Sequence, residues 1–340
     1  PGRIRLGQVN AELAGKAVGN VIALAGTSRV VVSGRLEPES NTKGFVALLD
    51  LKKGELLDFE EGFYPPRKGA ADPSGKFVIF PLINGEVRRC DIHEKGLSLS
   101  LVEFAMDDPQ GPVPTVKVEK ANVVLHVPSL KMFYVGLELE DGRGAIATLD
   151  EEGKNGVIHR DGPKRPVYSL AASSSRKILA AGTDGKLNGD HPMVYFYGAE
   201  SLGEIREPTE PGTPSMIHGM AFHPEGHALF AAGDGTGIER LIIPVEEKAG
   251  ESQRSTPAEG SLLAHFHTVL RLETLGSPER PERLISFGKD GLLCFWDMQS
   301  GQLLAKRELP GHSMNDMSYD PVSCTLLLLI DDQIMSISLD

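Results

Sequence analysis

A histidine, a serine and an aspartate fall within one short stretch of this chain, at His267, Ser286 and Asp290. These are the residue types of a hydrolytic triad, in which the imidazole activates the serine and the carboxylate orients the imidazole. A nucleophilic serine must be exposed and must face an oxyanion hole. Ser286 stands in an apolar, strand-like run, "LISFG", which offers neither. We therefore predict a buried hydrogen-bond network here and no catalytic group.

Other histidines are judged as metal ligands by their spacing. His223 and His227 would share one face of a helix, but the intervening Pro-Glu-Gly predicts a surface turn. His265 would lie beside His267 on an unbroken strand, yet His267 is already assigned to the network. We predict no metal site. We also predict no cofactor, because the glycine-rich stretch 233–237 continues into a strand and not into a phosphate-binding helix.

The composition is that of an acidic globular protein, with 340 residues, 40% of them hydrophobic, and a formal net charge of −12. This charge argues against nucleic acid as a partner. No run of about 18 apolar residues is present, so we expect no membrane span. The start, "PGRIRLGQVN", has neither an initiator methionine nor an apolar signal core, so we expect a processed product or a piece of a longer multidomain chain.

The cysteines are odd in number, lie in apolar or strand-like runs and show no C-x-x-C spacing: Cys90, Cys294 and Cys324. This pattern gives no support to a zinc site or to a disulfide framework. Reduced, buried thiols are the simpler interpretation, and they favour a cytoplasmic location.

A repeated turn–strand–turn pattern organises the chain. Clear copies read "ADPSGKFVIFPLING" from Ala71, "AASSSRKILAAGTDG" from Ala171, "FHPEGHALFAAGDG" from Phe222 and "YDPVSCTLLLLIDD" from Tyr319. Two weaker copies and the stretch around Ser286 bring the number to seven. The spacing of roughly 50 residues is typical of a four-stranded propeller blade.

Each copy is interpreted as four strands joined by short glycine-containing turns. We predict an all-β fold, a single seven-bladed β-propeller domain over residues 1–340 with four-stranded antiparallel blades. The blades are expected to begin near residues 18, 68, 121, 167, 217, 268 and 313. The last copy stops after its third strand, so we expect residues 3–10 to supply the missing strand and close the ring, which removes an exposed sheet edge.

The sixth copy, "FHTVLRLETLG" followed by "LISFGKDGLLCFWD", resembles a blade of the WD-repeat β-propellers. The resemblance implies a buried hydrogen-bond chain through His267, Ser286, Asp290 and Trp296. Buried indole, hydroxyl and imidazole groups each need such partners. The remaining copies depart from the motif: the fifth has only His218 and Asp234, and the seventh has Gly-His at 311–312 with Asp332.

The long connections fall mainly on one face of the predicted propeller, and function is concentrated on such loops. We predict that this face binds a protein or peptide partner without catalysis, as WD-repeat scaffolds do. The candidate contact residues are loop side chains of types common in interfaces or carrying charge: Tyr64, Arg67, Asp107, Asp108, Lys186, Asn188 and His191.

The alternative is a propeller enzyme, lactonase-like or another hydrolase, with its active site at the mouth of the central channel. The predicted innermost strands carry polar residues of the types such a site needs: Asn20, Asn122, His218, Arg271, Asn315 and Asp316. The same residues suit an ordinary water-filled channel wall, so the enzyme interpretation stays second.

Overall fold

The computed structural model describes residues 2–106, 117–159, 162–185, 191–211, 215–244, 256–257, 262–277, 280–309 and 314–339. These residues form seven sheets that follow one another along the chain. The fold is the predicted one, an all-β, seven-bladed β-propeller. The chain divides into two compact units, one made of Pro1–Glu140, Ala147–Ile158 and Gly311–Asp340 and the other of Asp141–Ile146 and His159–Pro310.

The N-terminal elements and the first three sheets are given in chain order. Strand β1 (Gly2–Arg5), one helical turn, α1 (Leu6–Val9), and a 3-10 turn (Ala11–Leu13) come first. The first sheet contains β2 (Ala17–Ala23), β3 (Arg29–Arg35), β4 (Gly44–Asp50) and β5 (Glu55–Phe63). The second contains β6 (Ala70–Ala71), β7 (Phe77–Pro81), β8 (Val87–Ile92) and β9 (Leu97–Leu101). The third contains β10 (Phe104–Met106), β11 (Val118–Val127), β12 (Met132–Leu139), β13 (Gly144–Leu149) and β14 (Gly156–His159), with a 3-10 turn at Pro128–Leu130.

The remaining four sheets continue the same order. The fourth contains β15 (Val167–Ser173), β16 (Ile178–Thr183), β17 (Val194–Gly198) and β18 (Glu204–Thr209). The fifth contains β19 (Ile217–Phe222), β20 (Ala228–Gly233), β21 (Gly237–Ile242), β22 (Thr256–Pro257) and β23 (Leu262–Leu263). The sixth contains β24 (Val269–Ser277), β25 (Arg280–Gly288), β26 (Leu292–Asp297) and β27 (Leu303–Glu308). The seventh contains β28 (Met314–Asp320), β29 (Thr325–Ile330), β30 (Gln333–Ser338) and β1.

The N-terminal strand completes the seventh sheet, as predicted. Strand β1 pairs antiparallel with β30, placing Arg5 opposite Gln333. The strand is shorter than the predicted span 3–10, because residues Leu6–Val9 turn into α1. The Leu6 side chain is fully buried in the core between the seventh and first sheets, and burying this leucine draws the chain away from the sheet edge.

A parallel strand that the repeat does not predict joins the third sheet. The run "LSLSLVEFA" reads as one strand in the sequence, but β9 ends at Leu101 and Phe104 begins β10. Strand β10 pairs in parallel with β14, with Phe104 opposite Gly156. A Cβ atom at Gly156 would lie 2.5 Å from the Phe104 ring, so this close approach needs glycine.

One strand in each of five sheets positions the polar residues predicted for the channel mouth: Asn20, Asn122, His218, Arg271, Asn315 and Asp316. Within one unit, β2 packs against β28, and β11 packs against β6 and β7; within the other, β19 packs against both β15 and β24. The middle strands β4, β16 and β20 are buried on both faces along their whole length. This explains why they read as continuous apolar runs without polar alternation.

Candidate functional site

The sixth sheet holds a closed chain of polar side chains. The Trp296 indole N–H donates to Ser286 Oγ at 2.8 Å, and His265 Nε2 lies 2.7 Å from the same oxygen. On the other side of the ring, His265 Nδ1 lies 2.9 Å from Asp290 Oδ2. The His265 and Asp290 side chains have no exposed surface. Each buried polar group thereby has the partner that burial requires.

The imidazole of this network belongs to His265, so the assignment to His267 is wrong. The chain bends between β23 and β24, so residues 264–268 are not strand, and His265 and His267 do not share a strand face. His267 is exposed, and its Nδ1 accepts the Thr268 N–H at 2.8 Å. The histidine of the network lies in the bend before β24. The spacing in the sequence does not distinguish His265 from His267.

The same network fixes the backbone of the exposed bend. Asp290 accepts hydrogen bonds from the Phe266 N–H at 2.9 Å and the Leu292 N–H at 3.1 Å. The Phe266 side chain itself is 70% exposed, and Leu263 nearby in sequence is 69% exposed. A large aromatic side chain therefore stands in solvent on a backbone that a buried carboxylate holds. This exposure was not predicted, because "HFH" reads as part of a strand.

Ser286 is inaccessible to any substrate, with no exposed surface of its own. Its hydroxyl oxygen already contacts the Trp296 N–H and His265 Nε2. Two of the three cysteines, Cys90 and Cys294, stay protonated near neutral pH and are not nucleophiles. Burial raises the pKa of Cys90 to about 12 and that of Cys294 to about 11. Cys324 is half-buried in a turn with positive φ and not in a buried strand as expected.

The fifth sheet carries a smaller and more open polar cluster. His218 Nε2, on strand β19, lies 3.0 Å from Asp234 Oδ1, and the Ser215 hydroxyl donates to the other oxygen of Asp234. Both members of the His218–Asp234 pair are partly exposed. Burial lowers the pKa of His218, the Asp234 carboxylate opposes this effect, and the positive charges of Arg271 and Lys289 reinforce it. The structure thus brings His218 and Arg271 into one electrostatic environment.

In the other unit, the buried Asp316 forms an ion pair with the partly exposed Lys68 that the sequence did not predict. Lys68 Nζ lies 2.8 Å from Asp316 Oδ1 and 2.9 Å from Oδ2, and it also donates to the Met317 carbonyl at 2.8 Å. The Val21 N–H donates to the same carboxylate at 3.1 Å. This arrangement ties the inner strands of the first and seventh sheets to the segment that leads into β6. The two partners are far apart in the chain, so no local pattern connects them.

The asparagines of the same unit take part in the framework. Asn20 Nδ2 donates to Ser33 Oγ at 3.1 Å and to the Pro66 carbonyl at 3.2 Å. Asn315 Nδ2 donates to the carbonyls of Val18 and Asp331 at 3.1 and 3.2 Å. Asn122 is buried on β11. Asn20 and Asn315 are thus committed to holding strands and loops together.

Among the predicted contact residues, Tyr64 is exposed on an ordered segment. It is 40% exposed, while Phe63, Pro65 and Pro66 beside it are buried. The segment is fixed by hydrogen bonds from the Ile83 N–H to the Pro65 carbonyl at 3.2 Å and from the Arg67 N–H to the Pro81 carbonyl at 2.8 Å. Arg67 is half-buried.

The other predicted contact residues divide into one that is described and four that are not. The exposed His191 places its Nδ1 3.1 Å from Glu210 Oε1. The rest lie outside the described residues: Asp107, Asp108, Lys186 and Asn188.

One group in the described part of the chain brings three metal-ligating side chains together. It consists of His223, Glu225 and His227, whose ligand atoms lie within 4.8 Å of one another. The turn predicted from "HPEGH" is present between β19 and β20. The proximity of the three side chains was not expected, because the predicted surface turn said nothing of where they point.

No family model matches this sequence, and no curated protein matches it. Across the residues that the structure covers, no helix is long and apolar enough to span a membrane.

Proposed function

We propose that this chain is a divergent WD-repeat-like scaffold that binds a protein or peptide partner and does not catalyse a reaction. The observation that carries the proposal is Phe266, which is 70% exposed while its backbone N–H is held by the buried Asp290. An aromatic side chain on a fixed backbone loses little conformational entropy on binding, which is the property of an interface anchor.

A second exposed aromatic residue supports the same function. Tyr64 occupies the connection between the first and second sheets, as Phe266 occupies the connection between the fifth and sixth. Both are large, exposed side chains on backbones fixed by hydrogen bonds. Isolated exposed apolar residues are common, but an exposed aromatic side chain on an ordered connection is the kind of residue that binds a partner, and each of the two units carries one.

The absence of an accessible triad in the sixth sheet also favours binding over catalysis. The His–Ser–Asp set of the sixth sheet, His265, Ser286 and Asp290, is buried in the WD-like network. In such a site the hydroxyl stabilises the blade and has no access to a substrate.

The test is capture of partners from a lysate by the wild-type chain, by Phe266→Ala and by Tyr64→Ala. Val322→Ala is the matched control, because Val322 is 69% exposed but lies in the turn between β28 and β29. We expect a partner whose affinity falls at least about fivefold in the two aromatic variants and is unchanged in the control. Equal capture by all four proteins would refute the docking face.

The second candidate function is a hydrolase, and the observation that favours it is the His218–Asp234 pair. The pair is partly exposed, and the lowered pKa of His218 keeps its imidazole neutral near pH 7, the form that a general base requires. The test is a screen of esters and lactones with wild type and His218→Gln. Turnover that disappears in the variant would favour the enzyme; equal rates in the two proteins, or no turnover, would exclude this pair as a catalytic base.

A further inference from the structure

The turn between β19 and β20 differs chemically from its counterparts in other sheets. In the second sheet the turn begins with Asp72, whose carboxylate accepts the N–H groups of Ser74, Lys76 and Phe77. In the fifth sheet an imidazole stands in the same place: the Glu225 N–H donates to His223 Nδ1 at 3.3 Å. The turn can be built with an aspartate, so turn formation alone does not explain a histidine.

A second histidine and a carboxylate converge on this imidazole. The rings of His223 and His227 have their centroids 3.9 Å apart, and His227 Nδ1 lies 3.4 Å from Glu225 Oε2. Two imidazoles and one carboxylate are a ligand set that suits Zn²⁺ and related borderline divalent cations. Zn–ligand bonds of roughly 2.0–2.2 Å in a tetrahedron place the donor atoms about 3.3 Å apart. Small rotations therefore suffice from the observed separation of at most 4.8 Å.

The burial of the three side chains matches such a site. His223 is buried and fixed, His227 is half-buried, and Glu225 is exposed. The two more exposed ligands can rotate toward a metal ion, while the buried one sets its position.

The backbone of the turn is held from a neighbouring hairpin. The Ser175 hydroxyl donates to the Pro224 carbonyl at 2.8 Å, and the Arg176 guanidinium donates to the Gly226 carbonyl at 3.4 Å. Gly226 has a φ of 75°, which favours glycine, and it closes the turn that presents both histidines. A ligand set on an ordered turn loses less conformational entropy when a metal binds.

Two nearby positive charges oppose a cation: the Arg176 guanidinium, which donates to the Gly226 carbonyl of the turn, and the Arg240 guanidinium. Arg240 lowers the pKa of His223 and so places positive potential at the turn. Its guanidinium is directed elsewhere, donating to the Gln299 carbonyl at 3.1 Å and lying over the Phe230 ring. The Glu225 carboxylate offsets this charge within the ligand set.

We propose that His223, Glu225 and His227 bind one Zn²⁺-class divalent cation. Three protein ligands leave the fourth tetrahedral position for water or for a group from a bound partner. The site is independent of the proposed docking residues Phe266 and Tyr64, so either proposal can fail without the other.

The test is titration of the metal-free chain with Zn²⁺, measured by calorimetry and by native mass spectrometry. His223→Asn and His227→Gln remove one ligand each, and asparagine keeps a side-chain oxygen that can accept the Glu225 N–H. His191→Gln is the matched control, because it removes an exposed histidine that pairs with a single carboxylate, Glu210, at 3.1 Å.

We expect one Zn²⁺ per wild-type chain, the same stoichiometry in the control, and an affinity at least about tenfold lower in each ligand variant, since even outer-shell changes cost that much. Zn²⁺ should also raise the midpoint of thermal unfolding of wild type and control but not of the ligand variants. No binding by wild type, or equal binding by all four proteins, would overturn the proposal.

Discussion

The fifth and sixth sheets each build a polar cluster around a turn aspartate, but the side chains of the two clusters differ in their exposure to solvent. Asp234 directly follows β20, and Asp290 lies two residues after the end of β25. In the sixth sheet the carboxylate meets a fully buried imidazole from the preceding connection, His265. In the fifth sheet the connection supplies the Ser215 hydroxyl, and the imidazole comes from strand β19 and is partly exposed.

The difference follows from one interior residue. Ser286 lies opposite Leu272 of β24 in the sixth sheet, and Ala231 lies in the corresponding place opposite Met220 of β19 in the fifth. A buried hydroxyl needs partners, so the sixth sheet surrounds Ser286 with the His265 imidazole and the Trp296 indole. The buried Ala231 carries no polar group that needs a partner, and the side chains of His218 and Asp234 are partly exposed. The closed cluster of the sixth sheet, made of His265, Ser286, Asp290 and Trp296, therefore stabilises the blade. The open cluster of the fifth sheet, made of Ser215, His218 and Asp234, leaves the His218 imidazole partly exposed.

The largest expected effect is the loss of the closed cluster's carboxylate. Asp290→Ala leaves the His265 imidazole and the N–H groups of Phe266 and Leu292 without their acceptor. We expect the free energy of unfolding to fall by about 3 kcal/mol or more, because each unsatisfied buried group costs about 1–3 kcal/mol. Urea unfolding measures this.

Asp234→Ala is the control for the open cluster. The partners of Asp234 can turn to water, so the loss should stay near or below about 1 kcal/mol. Equal costs for the two aspartates would show that the closed and open clusters do not differ as described.

A smaller effect is expected from loss of the Ser286 hydroxyl, which contacts both the Trp296 indole and the His265 imidazole. Ser286→Ala removes the acceptor of the Trp296 N–H, and we expect a loss of about 2 kcal/mol. Trp296→Phe removes the donor. The loss of unfolding free energy in the double variant should be smaller than the sum of the losses in the two single variants, because both substitutions remove the same hydrogen bond. Strict additivity would mean that the bond contributes nothing to the closed cluster.

The smallest effect concerns the pH dependence of the open cluster. The pKa of His218 is lowered by burial in the folded state, so the unfolded chain takes up a proton there first. The free energy of unfolding should therefore decrease as the pH falls from about 6.5, the unfolded value, toward the lowered folded value. In His218→Gln the decrease between pH 7 and 5.5 should be shallower. His126 and His223, whose pKa values burial also lowers, remain in both proteins, so the difference isolates His218. An unchanged slope would contradict the assignment.

The sequence predicted the fold well because its signals are local. Turn residues and apolar runs recur once per blade, and each hairpin depends only on its own strands. The features of the fold that the sequence did not predict depend on tertiary contacts. Leu6 leaves the sheet for the core, and β10 crosses to a neighbouring sheet.

The candidate site was predicted less well, for the same reason. The choice between His265 and His267 depends on where the chain bends, and the Lys68–Asp316 pair joins residues far apart in sequence. The exposure of Phe266 depends on which way that bend presents its side chain. Residue types and spacing identified the turn aspartate, serine and tryptophan, whose places are set within one hairpin.

The most direct test of the docking account is to locate the site at which a captured partner touches the chain. A photoreactive benzoylphenylalanine can replace the side chain at position 266 or, as the control, at position 322, and cross-linked products can be identified by mass spectrometry. We expect a partner to cross-link from position 266 and not from position 322. Absence of adducts at position 266, or the same adducts from both positions, would contradict it.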